Sequence, residues 1–217
     1  MEHDDKQLQK SLSAALDWAP DAPSAHIGVM AKDGVGTLTG HVARYAEKVA
    51  AERVASRIKG VRAIAEEIEV RNLGQVTTDD ESIAAEAVNI LSWDTMLPSG
   101  RIGVKVEHGW VSLTGEVDWQ YQRALAAQDM HRLNGVKGIS NQIKLAKQVQ
   151  PADGKLKVED VLKRDSILEA AGIEVVAENH TVTLNGHVRS WHDREVAERA
   201  AWSAPGVTDV VDRIAIF

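Results

Sequence analysis

The sequence predicts an α+β fold written three times. Each copy runs helix–strand–strand–helix–strand and packs a three-stranded sheet on two helices. Three observations carry that prediction. The strings Thr-Leu-Thr-Gly-His-Val at 37–42, Ser-Leu-Thr-Gly-Glu-Val at 112–117 and Thr-Leu-Asn-Gly-His-Val at 183–188 place Gly40, Gly115 and Gly186 at offsets of 75 and 71 residues. A second set, Gly60, Gly135 and Gly206, each followed by valine, keeps both offsets, so the two glycines of every copy stand 20 residues apart. The aliphatic triads Ile64, Ile68, Val70, then Ile139, Ile143, Leu145, then Val210, Ile214, Ile216 hold the same register. Several anchors keeping one period are the signature of a repeat architecture.

The first helix of copy one carries Leu8, Leu12, Ala15 and Leu16 at helical spacing, matched in copy two by Ile83, Ala87, Ile90 and Leu91. Copy two opens with Thr78-Asp79-Asp80-Glu81, which supplies a cap and sets acids against the positive end of the helix dipole. Copy three has a shorter first helix near 156–164, because Pro151 and Gly154 interrupt the equivalent turn. Breaker-rich loops, Pro20-Asp21-Ala22-Pro23 and Leu97-Pro98-Ser99-Gly100, then lead to the first strand.

Two alternating runs follow, joined by a tight turn. In copy two Ile102, Val104 and Val106 lead through Glu107-His108-Gly109 to Val111, Leu113 and Val117, a hairpin pattern that Asp33-Gly34 repeats in copy one. In copy three Asn179-His180 stands at the turn, where asparagine tolerates positive φ. The second helices are expected at about 44–59, 119–134 and 190–205. Their inward faces are Ala50, Ala51, Ala55 and Ile58, then Leu125, Ala126, Met130 and Leu133, then Val196, Ala197, Ala201 and Ala204. Gly60, Gly135 and Gly206 stand where such helices end. The copies divide as 1–74, 75–148 and 155–217.

At about 60 residues, each unit buries too little surface to be comfortably stable alone, so the copies are expected to pack on one another or on a partner. The linker 148–154 reads as the most mobile.

The pattern of I-x-V, turn, V-x-L-x-G-x-V, amphipathic helix, G-V and I/V-x-x-x-I-x-V resembles the BON domain of bacterial osmotically inducible and nodulation proteins. All three copies match it. The resemblance implies a small sheet on two helices, which agrees with the element order above. It also implies a role in envelope maintenance or osmotic stress, with phospholipid as the proposed partner. Motifs made of structural glycines and core aliphatics identify a fold far better than a chemistry.

Composition narrows the remaining classes. With 25 basic against 32 acidic residues the net charge is −7, spread as −1, −2 and −4 over residues 1–74, 75–150 and 151–217. No segment is basic, which argues against nucleic acid as a partner. Zero cysteines exclude disulfides, thiol nucleophiles and thiolate zinc sites. The acidic start Met-Glu-His-Asp-Asp-Lys is unlike a secretory signal, so the expected location is cytoplasmic, or periplasmic where a leader has been removed.

Candidate chemistry is sparse, and no enzyme, metal or cofactor is expected. Gly34-Val35-Gly36-Thr37-Leu38-Thr39-Gly40 lies inside a hairpin and lacks dinucleotide-loop spacing, and Ser56-Arg57-Ile58-Lys59 meets the minimal S-x-x-K pattern only at a helix end. His41 and His187 face outward by strand parity, but copy two has Glu116 there, so no shared ligand set exists. The pair Asp79-Asp80 reads as a helix cap, and Glu66-Glu67 as part of a solvated strand.

Tryptophan makes up six of the nine aromatics. Trp18 and Trp93 occupy equivalent helix ends, which suggests a structural role, while Trp93, Met96 and Leu97 together suggest an exposed apolar lip. Trp110 faces outward and calls for a neighbouring copy, another protein or a lipid interface. The leading expectation is a non-catalytic module contacting phospholipid or protein through Trp93, Met96, Leu97 and Trp110. The alternatives are a cytosolic potassium sensor, suggested by cytoplasmic relatives that bind a monovalent cation, and a pure interaction scaffold.

Overall fold

The computed structural model describes residues 2–71, 79–146, 173–178, 180–204 and 207–216. The first repeat contains α1 (Glu2–Asp17), a 3-10 turn at Ser24–His26, β1 (Ile27–Lys32), β2 (Val35–Val42), α2 (Tyr45–Ser56) and β3 (Ala63–Val70). The second contains α3 (Asp80–Trp93), β4 (Ile102–Glu107), β5 (Trp110–Val117), α4 (Gln120–Met130), β6 (Gly138–Asn141) and β7 (Lys144–Leu145). The third shows β8 (Glu174–Glu178), β9 (Thr181–Val188), α5 (Trp191–Ser203) and β10 (Asp209–Ile216). The helix expected near 156–164, the linker 148–154, Asn179 and Gly206 lie outside the described residues.

Each sheet pairs its hairpin strands antiparallel and its last strand parallel to the middle one. The parallel strand needs a crossover, and the second helix of each repeat supplies it. Register is shared: Ile27 pairs with Gly40 and Ile102 with Gly115, while Ile68 and Ile214 lie opposite Gly40 and Gly186. In the second repeat the last strand is split at Gln142–Ile143, yet β6 and β7 keep one register on β5.

The hairpin turns hold two consecutive positive-φ residues, Asp33–Gly34 at 51° and 79° and His108–Gly109 at 54° and 83°, a combination that matches strand twist. Gly40 and Gly115 have φ of 127° and 126°, and a side-chain methyl there would overlap the carbonyl oxygens of His26 and Arg101. Gly60, Gly135 and Gly186 also have positive φ. The second helices stop at Ser56, Met130 and Ser203, short of the expected ends, and backbone bonds such as Ile58 N to Ala55 O tighten the chain before the glycines.

Three cores form, one per repeat. Leu12, Leu16, Leu38, Ala51 and Val61 centre the first; Ile83, Val111, Leu113, Ala126 and Met130 the second; Val182, Leu184, Ala197 and Ala201 the third. The second helices also meet: α2 and α4 both approach α5, and the Tyr45 ring of α2 stands edge-on to His131 after α4, with centroids 5.4 Å apart. Tyr45 packs against the second core although it belongs to the first repeat. The copies therefore bury surface against one another, as their small size requires.

Candidate functional site

At one end of the second repeat, apolar side chains gather in water. Trp93, the last residue of α3, is 79% exposed and Met96 56% exposed. The loop between them is folded back by Asp94, whose carboxylate accepts from Met96 N at 2.8 Å and whose carbonyl accepts from Leu97 N at 3.1 Å. Gln122 Nε2 donates to the Met96 carbonyl at 3.3 Å and thereby ties this loop to the first turn of α4. That turn carries the exposed Trp119 and Tyr121, so the two joined segments together expose Trp93, Met96, Trp119 and Tyr121, called the lip below.

One expected lip residue, Leu97, belongs elsewhere, and Trp110, expected to face outward, does so on a different surface. Leu97 is 6% exposed and sits in the second core, because the Asp94 turn swings it inward. Its register equivalent in the first repeat, Ala22, is buried as well. Trp110 is 56% exposed on the outer sheet face, where its ring lies over the backbone of its ladder partner Gly138. It covers its own sheet. The structural role expected for Trp18 and Trp93 is overturned as well. Both follow the last buried leucine of their helix by two residues, about 200° around the axis, and point away from the core.

A polar contact recurs beneath each sheet that the glycine and aliphatic anchors did not disclose. Lys48, Arg123 and Arg194 are register-equivalent on the second helices, as are Glu66, Asn141 and Asp212 on the last strands. Lys48 pairs with Glu66 at 3.0 Å and Arg194 with Asp212, whereas Asn141 donates to the Arg123 carbonyl at 2.8 Å. In all three repeats the strand residue also accepts the amide of the isoleucine two positions on. Arg123 keeps a buried Nε with no hydrogen-bond partner, because its strand partner carries no charge. These groups join helix to sheet.

Several ionisable groups are displaced. Asp79 accepts from Ser82, and Asp80 binds the amides of Gly109 and His108 at 2.8 and 2.7 Å, so both carboxyls are held below the usual range. Asp129, on α4, is buried with Oδ2 unpartnered, and burial together with nearby Asp94 raises its carboxyl. Burial raises Glu52 on α2, and the neighbouring carboxylates Glu66 and Glu195 add to this. Tyr45 is raised by burial, and His131 is lowered by it. His41 stacks on His26 with centroids 4.9 Å apart. Among the described residues no group of three or more His, Asp or Glu side chains could hold a metal ion, and no helix is long and apolar enough to cross a membrane.

Comparison with known proteins places this geometry. The osmotically-inducible protein Y of Escherichia coli is 29% identical over 145 residues, covering 65% of this chain and 72% of that protein. Two solved chains of CdsD, a structural protein of the type III secretion system of Chlamydia trachomatis, align over 97% of this chain at 15% and 16% identity, with TM-scores of 0.26 and 0.27. The sequence profile of the BON domain matches residues 4–72, 79–147 and 154–216. Three matched segments spanning most of its length, each on the glycine and aliphatic register described above, establish that the chain belongs to the BON domain family.

Proposed function

We propose that this protein is a non-catalytic binding module of the osmotic or general stress response, whose second repeat contacts a phospholipid surface. The similarity to an osmotically-inducible protein supports the physiological half. The carrying observation for the other half is the exposure of Trp93, Met96, Trp119 and Tyr121 on two segments that the Gln122–Met96 hydrogen bond joins. Aromatic side chains with an apolar body and a polar edge suit a lipid–water interface. A net charge of −7 opposes anionic headgroups, so contact is driven by apolar area and favours zwitterionic bilayers. Burying each exposed apolar side chain contributes roughly 1.5–3 kcal/mol gross, and the costs of association offset much of the sum, which makes the contact reversible.

Co-sedimentation with phosphatidylcholine vesicles tests the proposal. The wild-type chain is expected to pellet with lipid, and Trp93→Ala with Trp119→Ala to abolish it. No pelleting at low salt, over several lipid compositions, overturns the lipid reading.

A further inference from the structure

Where the first and second repeats meet, beside the Tyr45–His131 contact, the surface opens into a cleft of about 390 Å³. Its wall from the first repeat is the Pro20–Pro23 loop and the first turns of α2, and its wall from the second is the end of α4. Three guanidiniums line it, Arg44, Arg53 and Arg132, against two carboxylates, Asp21 and Glu47. His131 also lines the cleft, and its burial favours the neutral imidazole, so the lining carries a net positive charge in a chain whose total is −7. We propose that this inter-repeat cleft binds a small organic phosphate.

The acids position the arginines without exhausting them. Arg53 spends one Nη2 on Asp21 at 2.7 Å, and Arg44 directs Nε and Nη2 to a single oxygen of Glu47 at 3.3 Å. A guanidinium has five N–H donors, so both forks retain donors for a ligand. Planar forks match phosphate oxygens in pairs, and three of them on one cleft favour a dianion over a single carboxylate. Prolines and alanines supply an apolar floor for the carbon body of the ligand. Because the walls belong to different repeats, an occupant also ties the repeats together. The lip of Trp93 and Met96 shares no residue with this cleft, so the two sites are separable.

Isothermal titration of the full chain with glycerol 3-phosphate, at matched ionic strength, tests the site. Saturable one-to-one binding is expected, weakened at least tenfold by Arg53→Gln with Arg132→Gln and unchanged by Trp93→Ala. Arg53 and Arg132 are exposed, so the double variant keeps its fold, and Arg132→Gln alone is expected to weaken binding by a smaller factor. Phosphatidic acid vesicles present the same monoester on a surface. Retention on them that requires Arg53 and Arg132 identifies a lipid headgroup as the source, and binding of the soluble ester alone identifies a free solute. Glycerol binding as well as its phosphate, the double variant binding like wild type, or no heat at millimolar ester overturns the proposal.

Discussion

Replacing Gly115 with alanine asks whether the repeated glycine is dictated by backbone geometry. Gly115 pairs with Ile102 across β4 and β5 at φ of 126°, a conformation L side chains rarely adopt. That strain alone costs about 1–3 kcal/mol. The added Cβ also overlaps the Arg101 carbonyl oxygen, which is backbone and cannot rotate aside, so β4 must move away from β5 and disturb the packing of Ile102. The expected total is about 3–5 kcal/mol, the range reserved for strained backbone sites. Gly103→Ala is the control. Its Cβ meets Thr114 Oγ1 at 3.0 Å, a hydroxyl that can shift, and the expected loss is under about 1 kcal/mol. Urea unfolding followed by tryptophan fluorescence reads the second repeat through Trp93, Trp110 and Trp119. A Gly115→Ala loss no larger than that of Gly103→Ala would refute the geometric account, and Gly40→Ala must then fail with it.

Other expectations follow from the same structure. Asp212→Ala removes the partner of Arg194 and the acceptor of Ile214 N, both largely shielded, and should cost about 1–3 kcal/mol in urea unfolding, whereas Glu69→Ala breaks only the exposed pair with Arg71 and should cost under about 0.5. Leu97→Ala should cost about 2–4 kcal/mol from the second core, while Met96→Ala leaves stability within about 0.5 and acts only on vesicle binding. Asp129 has a raised folded-state carboxyl, so the folded chain binds its proton more tightly, and its contribution to stability is lost as pH climbs above the ordinary carboxylate range. Asp129→Asn should therefore raise Tm at neutral pH and change it little in acid; a uniform shift at all pH values would assign the effect to packing.

What the chain disclosed in one dimension, and what it withheld, follows from how local each cause is. Hairpin turns, helix faces and the sheet glycines depend on residues within about twenty positions, and Asp33-Gly34, Ala50, Ala51, Ala55 and Gly115 could be placed from their spacing. Leu97 could not, because its direction depends on a turn in which Asp94 accepts from Met96 N and Leu97 N, and Met96 beside it is equally apolar. Trp110 was legible as outward-facing, but the backbone it covers, at Gly138, lies on a strand 28 residues later. The Lys48–Glu66 class of contact was hidden for another reason. Its members vary between acid and amide from copy to copy, so only the shared register exposes it.

If both proposals hold, the repeats have divided their labour, and the same register shows where. At the positions of Trp93, Trp110, Trp119 and Tyr121, the first repeat has Trp18, Val35, Arg44 and Ala46, and the third has Arg164, Thr181, Ser190 and His192. The core stays apolar at equivalent positions, and one of them, Leu38, Leu113 and Leu184, is the same residue three times, each fully buried. Selection on packing alone would leave exposed positions free to vary, but it would not collect four aromatics on one copy and keep them in water, since exposed aromatic surface carries a cost in solubility. The first repeat differs in the opposite sense. Arg44, which replaces the aromatic, lines the cleft against Arg132 of the second repeat, so one register position serves an apolar surface in one copy and a charged pocket in the next. A swap tests this directly. Trp119→Arg should abolish vesicle retention and leave glycerol 3-phosphate binding intact, while Arg44→Trp should weaken phosphate binding without creating lipid affinity, because the lip also needs Met96, whose equivalent in the first repeat is Asp21. If either exchange moved both activities together, the two surfaces would be one site and the division of labour would be wrong.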